Sequence, residues 1–137
     1  MGEPRAALLG TVRGLIKLAR YREYVPFVFV TTLVGVKLAD APLDWRLPVV
    51  LVANFLTVCY AFMINDIEDA ELDAQHPGKR LRNPISSGEL RRLWAHTASG
   101  SVAILTLAFG ILLGGWALLL LAGLVGFVAF AHRARRR

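Results

Sequence analysis

Cysteine is nearly absent. Cys59 is the one thiol in 137 residues, so no intrachain disulfide holds the fold, and a lone thiol inside an apolar run is most often a small packing residue. Histidine is scarce too, and His96 has no second histidine at ligand spacing, which makes it an interfacial residue rather than a metal ligand. Internal repeats and low-complexity tracts are missing, apart from the arginines at the end. The apolar runs hold almost nothing ionisable: Asn54 and a few hydroxyls are their polar groups of note, which weighs against an ion or solute carrier. No convincing small-residue cleavage site follows the first strongly apolar run, so a cleaved signal peptide is not expected. Acids are outnumbered, 10 against 16 Lys and Arg, for a net charge of +6. Most of that excess lies outside the apolar runs, where it sets topology and meets anionic headgroups; nucleic acid is not the expected partner.

What is abundant is apolar residues, 55% of the chain, gathered into runs long enough to span a bilayer. The expectation is an all-α integral membrane helical bundle in a single membrane domain, with about four transmembrane helices at 24–39, 47–64, 97–113 and 117–131. A basic segment, 1–22, precedes them, and a polar loop, 65–96, divides them. Leu8, Val12, Leu15 and Leu18 recur at helical spacing in the first segment, which suits an amphipathic helix on the membrane surface; a solvated basic lead-in is the plainer alternative. The lead-in carries five Lys or Arg, the middle loop five and the tail four (Arg133, Arg135, Arg136, Arg137). The positive-inside rule then puts the N-terminus, the 65–96 loop and the C-terminus in the cytoplasm.

The most informative stretch is Asn65-Asp66-Ile67-Glu68-Asp69-Ala70-Glu71-Leu72-Asp73. At about 100° per residue, Asp66, Asp69 and Asp73 fall within roughly 60° of one another on a helix. Like charges at i,i+4 disfavour a helix, so a hard cation is expected to draw them together: Mg²⁺ commonly joins one or two carboxylates to a substrate phosphate. Helix capping competes as an explanation, since Asn65 is a good N-cap and Glu68 stands at capping-box spacing. Asp73, two turns on, is beyond what capping asks for. On a continuous helix, Asn54 projects toward Asp69, while Phe55, Cys59 and Phe62 project toward Asp66; they either line an apolar channel leading to the carboxylates or simply pack against other helices. Beyond the turn at His76-Pro77-Gly78, Lys79, Arg80, Arg82 and Asn83 are placed to contact phosphate oxygens, or form a solvated basic turn. Ser86 and Glu89 have capping-box spacing, which predicts a helix starting near Ser87. Gly110 and Gly114 have the spacing that permits close helix approach.

Asn65-Asp66-x-x-Asp69-x-x-x-Asp73, followed by Lys79-Arg80-x-Arg82-Asn83-Pro84-Ile85-Ser86-Ser87-Gly88, strongly resembles the first aspartate-rich motif and following loop of the UbiA family of intramembrane prenyltransferases. The resemblance implies a fold corresponding to the first half of a UbiA-type enzyme. It implies Mg²⁺-dependent transfer of a prenyl group from an isoprenoid diphosphate to a membrane or aromatic acceptor. Asp66, Asp69 and Asp73 would act as the catalytic and metal-binding carboxylates, and Asn65 would help hold the diphosphate. Lys79 and Arg82, with Arg80 beside them, would stabilise it. Family members also carry a second aspartate-rich motif in further spans, and no Asp occurs here from residue 90 onward. The chain is therefore expected to be inactive by itself, whether as the N-terminal part of an enzyme, as one half of a split enzyme whose second polypeptide brings the C-terminal half, or as a degenerate relative. A non-catalytic membrane scaffold or diphosphate-lipid-binding subunit is the competing reading.

Overall fold

The computed structural model describes the backbone of residues 3–135 and the side chains of residues 8–131; Arg5, His132 and the tail arginines lie outside the described side chains. Among the described residues six helices follow one another: α1 (Glu3–Ala19), α2 (Tyr21–Leu38), α3 (Arg46–Asp73), α4 (Pro77–Arg82), α5 (Arg92–Leu113) and α6 (Gly115–Arg135). The bundle is all helical. α3 and α5 are long and apolar enough to cross a membrane, and α6 carries a shorter apolar stretch at Gly115–Ala131. α2 is more broken by charge, with Arg22, Glu23 and Lys37 within its 18 residues. Large apolar side chains such as Phe27, Phe29, Ile104, Ile111, Leu120, Phe127 and Phe130 are exposed, far more apolar surface than water tolerates on a monomer. This is the surface of a membrane-associated protein.

α3 is the rod on which the rest is hung. Its 28 residues extend about 42 Å at 1.5 Å per residue, against about 30 Å for a hydrocarbon core, so one end has length to spare. The apolar run passes into the acidic stretch without a break, which leaves Asn65 inside the helix and removes capping as its role. α5 lies along α3, and its buried positions are small, Ala95, Ser99, Thr106 and Gly110, which lets neighbouring helices approach. At the α5–α6 turn, a Cβ on Gly110 would come within 3.1 Å of the Leu118 Cα. Gly114 serves the turn instead, with φ +105° that side-chain-bearing residues rarely adopt.

The first helix is docked rather than solvated. Leu18 is fully buried, and a Cβ on Gly14 would meet the Leu90 Cβ at 3.0 Å. The main apolar cluster joins Leu18 of α1, Tyr24 and Val28 of α2, Cys59, Met63 and Ile67 of α3, Leu90 and Ala95. It lies directly under the acidic end of α3.

The helix expected from Ser87 starts at Arg92 instead, after an extended Arg91 that makes no side-chain cap. Gly88, at φ +80°, turns the chain first. Ser86 and Glu89 are used elsewhere: the Ser86 hydroxyl donates to the Ala70 carbonyl at 2.7 Å, and Glu89 pairs with Lys17 at 2.7 Å.

Candidate functional site

Helical spacing turns the acidic stretch into a pocket wall. Asn65, Asp66, Asp69 and Asp73 line one cavity of ≈ 170 Å³, which is closed on its other sides by Arg20, Lys79 and Arg82. Four of these residues come from the end of α3, two from α4 and one from the break between α1 and α2.

Arg20 is the residue that sequence reasoning missed, having counted it among the topology-setting cations. It interrupts an otherwise continuous helical run with a left-handed backbone (φ 46°, ψ 24°), and no glycine or proline marks the break. Its Nε donates to Asp66 Oδ2 at 3.0 Å, and its Nη2 lies 2.6 Å from Oδ1. The two contacts together make a two-point guanidinium–carboxylate pair, and the buried Oδ1 has no further hydrogen-bond partner beside it. Burial pushes the Asp66 carboxyl up to about 6 against the pull of Arg20, with Asp73 pushing the same way and Arg82 opposing.

Asn83 fixes the loop to the rod. It is fully buried, and its Nδ2 donates to the Asp66 carbonyl at 2.7 Å and to Asp73 Oδ2 at 3.0 Å. Its Oδ1 accepts from the Ile85 amide at 3.0 Å. The Arg92 guanidinium donates to the Ile67 carbonyl and to Glu71. Three side chains, Asn83 and Ser86 from the connection after α4 and Arg92 from the start of α5, thus donate to α3 carbonyls and tie this segment to the acidic end of α3.

The remaining residues singled out by sequence separate into two places. Arg80 lies on the other side of α4, lining a cavity with Pro77, Leu81 and Ser87. Asn54, Phe55, Cys59 and Phe62 sit where α3 meets α2. Asn54 donates to the Thr32 hydroxyl at 2.9 Å, Phe62 stacks on Tyr24 with ring centres 5.2 Å apart, Phe55 meets the same ring, and the Cys59 thiol is buried against Met63. These are contacts between α2 and α3 or within α3.

Among the described residues, no three His, Cys, Asp or Glu side chains close around a point as a finished metal cage. Mg²⁺ does not need one, since it keeps several waters and takes one or two carboxylates together with substrate phosphates. A half-open wall of three aspartates beside the cations Lys79 and Arg82 suits that donor set.

Comparison with known proteins identifies the family. The model of the UbiA prenyltransferase family matches residues 28–135. Decaprenyl-phosphate phosphoribosyltransferases are similar: that of Mycolicibacterium smegmatis is 30% identical over 102 residues, covering 70% of this chain and 32% of the relative. Those of Corynebacterium glutamicum (31% over 102 residues, 72% of this chain and 30% of the relative) and Mycobacterium tuberculosis (29% over 113 residues, 78% and 35%) are comparable. The chain spans about a third of the length of these relatives. No solved structure matches it.

Proposed function

Because the chain belongs to the UbiA prenyltransferase family, we propose that its acidic pocket holds the diphosphate of an activated donor in a group transfer carried out at a membrane. The observation that supports this most directly is the joining of Asp66, Asp69 and Asp73 with Arg20, Lys79 and Arg82 around one cavity. Asp66, Asp69 and Asp73 would hold Mg²⁺, with Asn65 beside them. The ion, when bound, neutralises charge on the departing diphosphate. Lys79 and Arg82 bear on diphosphate oxygens from α4, and the Arg20 guanidinium holds Asp66 in place. Asn83 acts as a positioning residue, since both ends of its amide are already engaged. Fixed charges of this kind stabilise a leaving group without reorganising during the reaction.

In this reading α2, α3, α5 and α6 are the four spans, with the pocket at the cytoplasmic end of α3, where the positive-inside rule places the basic loop. The donor is an isoprenoid diphosphate. A second reading is favoured by the names of the relatives, which give a phosphoribosyl group as what is moved and decaprenyl phosphate as the lipid. Both readings ask the same carboxylates to manage a departing diphosphate.

Equilibrium binding tests this without requiring turnover. The purified chain is titrated with geranylgeranyl diphosphate and with phosphoribosyl diphosphate, each with Mg²⁺ and with EDTA. Expected is Mg²⁺-dependent binding of one of them, reduced at least tenfold in both Asp66→Asn and Asp69→Asn. Binding indifferent to Mg²⁺ and undiminished in both variants sinks the proposal and favours a scaffold.

A further inference from the structure

We propose that a second groove, between α1 and the start of α2, binds the phosphate head of a membrane lipid. This cavity of ≈ 460 Å³ is lined by five cations, Arg13, Lys17, Arg20, Arg22 and Arg82, with Glu23 as its one acid. The inference deepens the proposed function by giving a lipid phosphate acceptor a seat, and it rests on that reading for the acceptor role alone.

Charge argues for an anion. Glu23 is paired with Arg82, Arg20 is held by Asp66, and Lys17 by Glu89. The Lys17 hydrogen bond keeps the Glu89 carboxyl below its usual range. Arg13 and Arg22 are exposed, and among the described residues neither has a carboxylate within ion-pair distance. Two surplus guanidinium charges match a phosphate monoester of charge about −2, and the planar guanidinium suits phosphate oxygens better than an ammonium does. Arg22 is steadied by Tyr21: its Nε donates to the phenol oxygen at 3.2 Å and its guanidinium carbon lies 5.7 Å from the ring centre.

Apolar surface argues that the anion is carried on a lipid. Ile16 forms part of the wall, and it belongs to an exposed row on α1 with Leu8, Leu9 and Val12. At about 100° per residue these four fall on one side of α1, and Arg13 and Lys17 border them. An apolar strip edged by cations is the pattern of a helix lying at a membrane surface. A hydrocarbon chain along that strip brings its phosphate to Arg13 and Arg22. Arg20 and Arg82 line both this groove and the acidic pocket, so the two anions would be neighbours.

The test uses the full chain in a nonionic detergent, with dodecyl phosphate, inorganic phosphate and dodecanol as probes followed by titration calorimetry and, for the phosphates, by phosphorus NMR. Dodecyl phosphate is expected to bind at least tenfold more tightly than either other probe. Arg13→Gln with Arg22→Gln is expected to cost at least tenfold in that affinity, Arg13→Lys with Arg22→Lys to retain most of it, and Asp69→Asn to leave it unchanged. Equal affinity for inorganic phosphate overturns the lipid assignment, and equal affinity for dodecanol overturns the phosphate assignment. Unchanged binding in the glutamine double variant, or equal loss in Asp69→Asn, overturns the groove as a separate site. Mg²⁺-dependent diphosphate binding, measured on the same preparation, fails or succeeds independently and so separates this result from that of the acidic pocket.

Discussion

Arg20 holds a left-handed backbone that costs a side-chain-bearing residue of order 1 kcal/mol, and such a conformation persists only where its surroundings over-determine it. Here they are the buried Asp66, Glu23 at 4.0 Å, the Phe62 ring with its centre 6.0 Å from the guanidinium carbon, and the Tyr24 hydroxyl, which donates to the Ala19 carbonyl at 2.8 Å just before the break. Removing one partner of a buried ion pair is far worse than removing both, because the survivor keeps its desolvation cost. With Arg20 12% and Asp66 1% exposed, Arg20→Ala is expected to destabilise the fold by about 3–5 kcal/mol. Arg20→Met combined with Asp66→Leu should cost less than Arg20→Ala alone. The buried Cys59 thiol provides the readout, through its labelling by a thiol-reactive dye as the protein is heated in detergent. A double variant less stable than Arg20→Ala would show that the pair stabilises the fold through more than mutual charge. The aspartates were legible in the sequence because helical spacing alone puts Asp66, Asp69 and Asp73 on one face. Arg20 was not, because its role depends on a backbone break that no local residue signals.

Elements were legible where period and length decide them, and illegible where tertiary contacts do. The apolar stretches of α3, α5 and α6 follow directly from runs of apolar residues, but α3 continues past its apolar part because Asn83, Ser86 and Arg92 reach back to its carbonyls. The same competition delays α5: Ser86, a plausible cap by spacing, is occupied on α3, and Gly88 turns the chain. The docking of α1 was not legible in sequence, where the segment suits either an amphipathic surface helix or a solvated lead-in; in the fold Gly14 lets Leu90 approach. Gly110 does the same between α5 and α6, and there the consequence is measurable. A side chain at Gly110 would press on the Leu118 backbone at 3.1 Å and on Leu121 at 3.1 Å, and overpacking of this kind costs about 1–3 kcal/mol. Gly100, on the same helix, has nothing within 4 Å of the corresponding position. Gly110→Val is therefore expected to lower the thermal midpoint by several degrees, while Gly100→Ala leaves it unchanged or raises it, since alanine is the better helix former by about 1 kcal/mol. Equal midpoints in the two variants would show that α5 and α6 do not depend on close approach at Gly110.

For the molecule as a whole, charge is placed unevenly: apolar surface is exposed along the helices, and at one end of α3 three carboxylates share one face. Asp66 and Asp73 repel, and burial disfavours the ionised form of Asp66 against the pull of Arg20. A ligand that relieves this should stabilise the entire bundle, because the pocket draws on α3, α4 and the α1–α2 break and sits over the main apolar cluster. Linkage fixes the size of the effect: at a hundred times the dissociation constant, a ligand bound only by the folded state adds about 2.7 kcal/mol. Mg²⁺ together with inorganic diphosphate is accordingly expected to raise the thermal midpoint, again read through Cys59 labelling. Mg²⁺ alone should give a smaller rise, since it would lack the phosphate oxygens that complete its coordination. Asp69→Asn leaves the Arg20–Asp66 pair and the Asn83 stitching in place, so this variant should fold and yet lose the ligand-induced rise. If Asp69→Asn responds to Mg²⁺ and diphosphate as strongly as the parent chain does, the stabilising ligand is not held by the aspartate face, and the repulsion among these carboxylates must be relieved by something other than this ligand.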